Sequence, residues 1–168
     1  AVFGAKTLES YLLHNKAFFD QLTGLKNRSG LYEAFHTRIL SGQKKTYSIV
    51  MGDIDYFKKV NDTYGHEYGD KALSALASVL YAHSDEQCRR VYRFGGDEFV
   101  MIIDNPHDGE ADRIISAVKD ELMKCSYDIS IEISSAVGIA SGNGSDIIEI
   151  VKNADSAMYA DKQLYHHR

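Results

Sequence analysis

Two stretches of the chain gather groups able to do metal and phosphate chemistry. The first, "RFGGDEFVMII" from Arg93 to Ile103, sets Gly95, Gly96, Asp97 and Glu98 between an aromatic residue and an apolar run. The second, "DIDYFKKVNDTYGHEYGD" from Asp53 to Asp70, puts carboxylates, lysines, an asparagine and a histidine directly after an apolar segment. Carboxylates from two segments, completed by substrate phosphates, make the oxygen shell that Mg²⁺ prefers. A pair of such ions can activate an attacking oxygen and stabilise a leaving one. The two glycines would let a phosphate or a base come close to the backbone.

Spacing alone leaves plainer readings open. A Gly-Gly-Asp-Glu run is equally a turn. Asp70 stands where a helix N-cap is expected and Asn61 where a turn is, although an amide and a carboxylate together also read the edge of a nucleobase. Lys58 and Lys59 serve either as solvated surface cations or as counter-charges to a triphosphate. His66 is either a loop residue bonded to its neighbours or a ligand contact.

Periodicity supplies the elements that must position these groups. "AVFGAKTLESYLLHNKAFFDQL" repeats Leu8, Leu12 and Phe19, with Tyr11 and Phe18, at helical spacing. Because the chain begins at Ala1 without an initiator Met, residues 1–19 are expected to end a connecting helix that arrives from upstream, with the domain proper at 20–168. "SGLYEAFHTRIL" carries Leu31, Phe35 and Ile39 on one helical stripe, and "TYSIVMGDID" predicts a strand ending at Asp53 and Asp55. "DKALSALASVLYAH" predicts a helix from Asp70 through Leu73, Leu76 and Leu80. "RVYRF" and "FVMII" flank Gly95 to Glu98 as strands of a hairpin with the acidic pair at its tip. A helix over "GEADRIISAVKDELMKC" (Ile114, Val118, Leu122) precedes a strand over "YDISIEISSAVGIA". A last helix runs from about Asp146 through Ile147, Val151, Ala154 and Met158. This order predicts an α+β fold, an α/β sandwich with a mainly antiparallel central sheet, and by itself sets the helices on one sheet face. Asp53 and the hairpin tip then meet at one sheet edge.

At 168 residues the chain suits one domain with a sizeable core. Its net charge of −5 argues against a nucleic-acid partner. No apolar stretch approaches the roughly 20 residues of a membrane helix, and no basic-then-apolar leader is present. A soluble fragment in the cytoplasm is expected, any membrane anchor belonging to other segments of a longer protein. Cys88 and Cys125, without metal-ligand spacing, are expected as packed thiols in a reducing compartment.

"RFGGDEF" and "DIDYFKKVNDTYGHEYGD", together with "DQLTGLKNRSG", "SSAVGIA" and "ADSAMYADK", resemble the GGDEF family of diguanylate cyclases in blocks from Asp20 to Lys162. The resemblance implies a fold similar to the palm of nucleotidyl cyclases and polymerases, which is ferredoxin-like. It also implies condensation of two GTP into cyclic di-GMP and two pyrophosphates by two facing copies, under an upstream sensor. By the same resemblance Asp53, the backbone carbonyl of Ile54 and Asp97 hold Mg²⁺, two ions per site with Mn²⁺ also suited, and Glu98 is a further ligand. Asp97 accepts the proton of the attacking 3′-hydroxyl, and Lys58 stabilises transition-state charge. Asn61 and Asp70 recognise guanine, His66 adds a substrate contact, and Phe57 lines the nucleotide pocket. Gly95 and Gly96 admit the triphosphate, and Lys162 contacts phosphate. The alternative is a catalytically silent GTP-binding module for regulation or dimerisation. Degenerate members lose the signature acids, which this chain keeps.

Three departures from the family pattern stand out. Where many members carry an RxxD product-inhibition site the chain reads "EQCR", Glu86 to Arg89, so an arginine clamp on phosphate is replaced by Glu86 and tight feedback is not expected. The usual Ala-Lys pair of the last helix is Asp161-Lys162. Tyr165 and His166 replace a Gly-Arg pair.

Overall fold

β1 (Thr46–Ile54) is buried along its length except at Thr46 and, partly, Gly52. A strand covered on both faces reads as a near-continuous apolar run, which is why this segment shows little alternation. The computed structural model describes residues 2–41, 45–85, 87–129 and 133–166. In it β1 lies between β3 (Glu98–Asp104) and β4 (Ser135–Asn143), with β2 (Arg89–Arg93) outside β3, and all three pairings are antiparallel. The helices are α1 (Val2–Phe18), α2 (Arg28–Ser41), α3 (Phe57–Tyr64), α4 (His66–Ala82), α5 (Glu110–Ile129) and α6 (Ile147–His166). From β1 onward the succession of strands and helices is that of a ferredoxin-like unit.

Side chains on alternate sides of each strand build two cores. Val50 and Ile54 of β1 join Phe99, Met101 and Ile103 of β3 beneath α4 and α5. Tyr47, Ile49 and Met51 join Val100 and Ile102 beneath α2 and α6. Helices therefore cover both faces of the sheet, not one. A sheet whose central strands are apolar on both sides must bury both.

The hairpin, β1 and the last helix form where the sequence puts them. Other elements differ. Asp70 is not an N-cap: α4 begins a turn earlier, at His66, with Gly65 as its cap residue. The chain from Phe57 to Tyr64, rich in polar residues, is itself a helix, with Val60 its one buried side chain. The segment expected as a strand from Tyr127 starts instead inside α5, which runs to Ile129, and β4 begins at Ser135. Ile114, Val118, Leu122 and Ile129 continue one helical spacing through a segment where Ile129, Ile131 and Ile133 also alternate, so two periods overlap. Ile39 is exposed, not buried with Leu31 and Phe35. Both cysteines are free thiols, Cys88 exposed and Cys125 half-buried. Glu86 and the side chains of Leu8, Tyr11, Tyr165 and His166 lie outside the described residues. No described helix is long and apolar enough to cross a membrane.

Candidate active site

Asp53 and Glu98 stand directly opposite each other in the β1–β3 register. Strand alternation carries both to the α6 side of the sheet, since Asp53 follows Ile49 and Met51 at even steps and Glu98 precedes Val100 by two. α6 reaches them because it lies hard against β4. A Cβ on Gly138 would overlap the carbonyl oxygen of Ala154 and the amide nitrogen of Met158. One turn later Asp161 accepts the Val137 amide proton at 2.9 Å, and Lys162 donates to Asp53 Oδ2 at 2.7 Å. The departure at Asp161 thus pins the end of α6 to the free edge of β4.

The electrostatics are those of an acid cluster short of cations. Burial pushes the Asp53 carboxyl up to about 6; the Lys162 hydrogen bond opposes this and the neighbouring Asp97 adds to it. Glu98 is raised by burial and then by the charges of Asp97 and Asp155. Lys162 is held above its ordinary value: burial, the largest single effect, opposes this, and its bond to Asp53 together with the charges of Asp53, Asp97 and Asp55 outweighs it. Asp53 Oδ1 is buried without a hydrogen-bond partner. Among the described residues no three His, Cys, Asp or Glu side chains form a closed metal cage. Mg²⁺ does not require one, because it binds through one or two carboxylates and takes its remaining oxygens from phosphates and water. An orphaned buried carboxylate oxygen beside a second carboxylate fits such a hard cation.

The hairpin tip carrying Asp97 is tied down from two sides. The amides of Phe94 and Gly95 both donate to the Glu98 carbonyl, at 2.8 and 3.2 Å. Arg93 donates to the Gly96 carbonyl at 2.6 and 3.2 Å and to both Asp20 oxygens at 2.9 Å. Asp20 in turn accepts from the amide and hydroxyl of Thr23, at 2.8 and 2.7 Å. A Cβ on Gly95 would overlap the Glu98 carboxylate, so this glycine makes room for the chain's own acid; space beside Gly96 is open. Arg28, with its guanidinium carbon 4.7 Å from the Phe94 ring centre, also lowers Glu98. Arg28 and the Asp20–Arg93 pair were not found by sequence reasoning, although Arg93 stands only two residues before the glycine pair.

A second group forms on α3 and α4. β1 passes into α3 through Tyr56, held in the left-handed region at φ 54. Before it the buried Asp55 is bonded to Ser134 through both its amide and its carboxylate. Asn61 sits so close to Gly69 that a Cβ there would overlap its Oδ1, and that buried oxygen has no hydrogen-bond partner. Asp70, the next residue along α4, is exposed. Phe57 packs partly against the core on the α4 side. Lys58 and His66 are exposed in the first turns of α3 and α4, and among the described residues neither bonds to the acid cluster.

A family model described as "Diguanylate cyclase, GGDEF domain" matches residues 17–168. The chain belongs to the GGDEF diguanylate cyclase family. This GGDEF chain is 35% identical over 162 residues to the diguanylate cyclase DgcZ of Escherichia coli K12, covering 94% of the chain and 54% of that protein. It is 33% identical over 153 residues to the diguanylate cyclase DosC of Shigella sonnei, covering 86% of the chain and 33% of that protein. It thus spans about half or less of these curated relatives' lengths. The solved diguanylate cyclase SiaD of Pseudomonas aeruginosa, in complex with its activator SiaC, superposes with a TM-score of 0.77 at 28% identity, over 95% of this chain and 64% of that one. The coiled coil and GGDEF domain of DgcB from Caulobacter crescentus, in complex with c-di-GMP, gives a TM-score of 0.75 at 25% identity, over 96% and 90%. The expected palm-like α+β fold is therefore the fold of this GGDEF domain.

One row of the GGDEF site escaped the sequence reading. Asp155, Tyr159 and Gln163 line a cleft with Asp53, Glu98 and Lys162. Their steps of four residues along a helix that also presents Lys162 were the available signal.

Proposed function

We propose that this chain is the catalytic domain of a diguanylate cyclase, in which two copies, each holding one GTP, make cyclic di-GMP and release two pyrophosphates. The observation that carries this reading is the Asp53–Glu98 pair across β1 and β3, bridged to α6 by the 2.7 Å contact of Lys162. It lies beneath a hairpin that spells the family signature.

In this reading the guanine lies against α3 and α4. The orphaned Asn61 Oδ1 gains a donor there, Asp70 accepts from ring and exocyclic N–H groups, Phe57 supplies an apolar wall and His66 a further contact. The triphosphate lies between the first turn of α3, whose leading amides have no acceptor within the helix, and Lys162. Gly96, with open space beside it, admits it at the hairpin. Divalent cations, two Mg²⁺ or Mn²⁺ per site held by Asp53, the Ile54 carbonyl, Asp97 and Glu98, supply Lewis-acid neutralisation of phosphate charge when bound. Asp97 accepts the proton of the 3′-hydroxyl. That oxygen bonds to the α-phosphorus of the facing nucleotide as the bond to pyrophosphate breaks, and Lys58 and Lys162 offset the charge that develops. Repetition at the second site closes the ring. Pairing turns an encounter of two dilute nucleotides into an oriented reaction, where effective molarities reach about 10⁵ M or more.

Residues 1–19, which include α1, act as the end of a connecting helix through which an upstream sensor sets the pairing of the 20–168 domains. GTP places the reaction in the cytoplasm. Incubation with GTP and Mg²⁺, with products resolved by mass, is expected to yield cyclic di-GMP. GTP binding without turnover, even from artificially dimerised chain, would overturn catalysis and leave a GTP-binding regulatory module.

A further inference from the structure

A second cluster of charge lies at the opposite end of the sheet, and its balance is the inverse of the acid edge. Asp104 ends the strand that Glu98 begins, six residues on and on the same side of it, which at about 3.4 Å per residue sets the two roughly 20 Å apart. Three cations converge on its carboxylate. Arg90 Nη2 of β2 lies 2.5 Å from Asp104 Oδ1, Lys45 Nζ, just ahead of β1, lies 3.5 Å from Oδ2, and Arg38 Nη2 of α2 lies 3.9 Å from Oδ1.

One carboxylate cannot use what these cations offer. Among the described residues neither Lys45 nor Arg90 pairs with another carboxylate, so even with Arg38 set aside two positive charges share one negative. Donors outnumber acceptors as well. Arg90 Nε is buried without a hydrogen-bond partner, and Arg90 Nη2 and Asp104 Oδ1 meet as charges without hydrogen-bond alignment. Arg38 is held in place from behind, donating to the Ala34 carbonyl at 3.1 Å and to the buried Tyr92 phenol. The carboxylate lies deepest, its side chain 3% exposed against 34% for Lys45 and 28% for Arg90. Whatever approaches from solvent therefore meets the cations first. A surplus of charge spread over separate donors suits a phosphate group, whose several oxygens and double charge can engage all of them, better than a carboxylate with two oxygens and one charge.

We infer that the Arg38–Lys45–Arg90 cluster is a binding site for a phosphate group, gripped by Lys45 and Arg90 from the solvent side while Asp104 holds the cations from below. The site is separate from the acid edge. It is separate also from the family's inhibition motif, because Arg89 pairs with Ile103, whose side chain belongs to the core under α4 and α5, on the other face of the sheet. It requires neither the proposed reaction nor the pairing of copies.

The test is a titration of the whole chain with inorganic phosphate in EDTA at constant ionic strength, with backbone amides followed by NMR. Without divalent cations the acid edge repels phosphate, which leaves the cation cluster to report alone. Saturation at millimolar phosphate is expected, with shifts centred on Arg38, Lys45, Arg90 and their neighbours. Lys45→Gln, at a partly exposed position ahead of β1 and so compatible with folding, should weaken binding about tenfold, the loss of one charge-assisted hydrogen bond. Lys45→Glu should abolish it, and Lys124→Gln, on the exposed side of α5, should leave it unchanged. Shifts that rise without saturating, shifts centred elsewhere, or equal losses in Lys45→Gln and Lys124→Gln would each overturn the inference and leave the cluster a structural ion pair. So would unchanged affinity in Lys45→Gln. Methyl phosphate as a second probe separates two sources of the group: binding as tight as phosphate assigns the site to a phosphate ester, and much weaker binding assigns it to free phosphate.

Discussion

Asp97 differs from its two acidic neighbours in where it sits. Asp53 and Glu98 are strand residues fixed by register, whereas Asp97 is in the turn, half-exposed, with its charge felt by both. In the proposed mechanism a group so placed, though itself a cation ligand, takes a proton from an incoming hydroxyl while Asp53 and Glu98 keep hold of the cations. Asp97→Ala is therefore expected to lower turnover by about 10²- to 10⁴-fold while GTP is still bound, as single-turnover assays beside equilibrium binding would register. Retained turnover would remove Asp97 from the reaction. Asp70 lies on α4, one residue beyond the Gly69 that admits Asn61, and in the proposed mechanism its loss acts on recognition. Asp70→Ala is expected to weaken GTP binding about tenfold to a hundredfold, the cost of a hydrogen bond to a charged acceptor, and to narrow the preference for GTP over ATP. Competition of the two nucleotides for one site measures it, and an unchanged preference would move guanine recognition elsewhere.

The elements hold these residues through contacts that differ in how far they reach along the chain. Asp20, in the turn after α1, grips Arg93, which grips the hairpin tip. Burial alone would raise the Asp20 carboxyl, yet hydrogen bonds from Thr23 and Arg93 hold it below its ordinary 3.8. A carboxylate lowered on folding adds stability that is present above its unfolded value and is lost as pH falls through the folded one. Asp20→Asn is expected to cost about 1.5–3 kcal/mol at pH 7, with the gap closing in acid below about pH 4. Urea denaturation of both forms at neutral and acid pH measures it, and a gap that persists in acid would mean that the pair is not ionic. Local signals had made part of this visible in the sequence: the hairpin, from two glycines between β-rich runs, and β1, from its apolar run ending in aspartates. α3 was not legible, because eight residues with one buried side chain give no stripe. The start of α4 was obscured by Gly69, which reads as a breaker and serves to admit Asn61. The Lys162–Asp53 contact joins residues 109 apart, and only the packing of α6 on Gly138 brings them together, a fact of tertiary structure that no local pattern contains.

At the scale of the molecule, one copy offers one acid edge, one Asn61–Asp70 pair and one cleft. Cyclic di-GMP, the proposed product, needs two new phosphodiester bonds, each joining nucleotides that the proposed mechanism places on different copies. In the proposed mechanism the 3′-hydroxyl of the GTP on one copy attacks the nucleotide held by the other, so synthesis is expected to require association. Below the dissociation constant of the pair, the rate is expected to rise with about the second power of protein concentration, and above it with about the first. Tethering two chains through a dimerising segment fused ahead of α1 makes association intramolecular, and the dependence should then be first order throughout. Feedback is not expected to bend these curves late in the reaction. Arg89, at the aspartate position of the family's inhibition motif, is engaged by Asp85 at 2.7 Å. Initial rates of cyclic di-GMP formation over a wide range of protein concentration, free and tethered, test the argument. First-order dependence of the free chain at every concentration would show that one copy holds a complete site, and the facing-pair mechanism would fall.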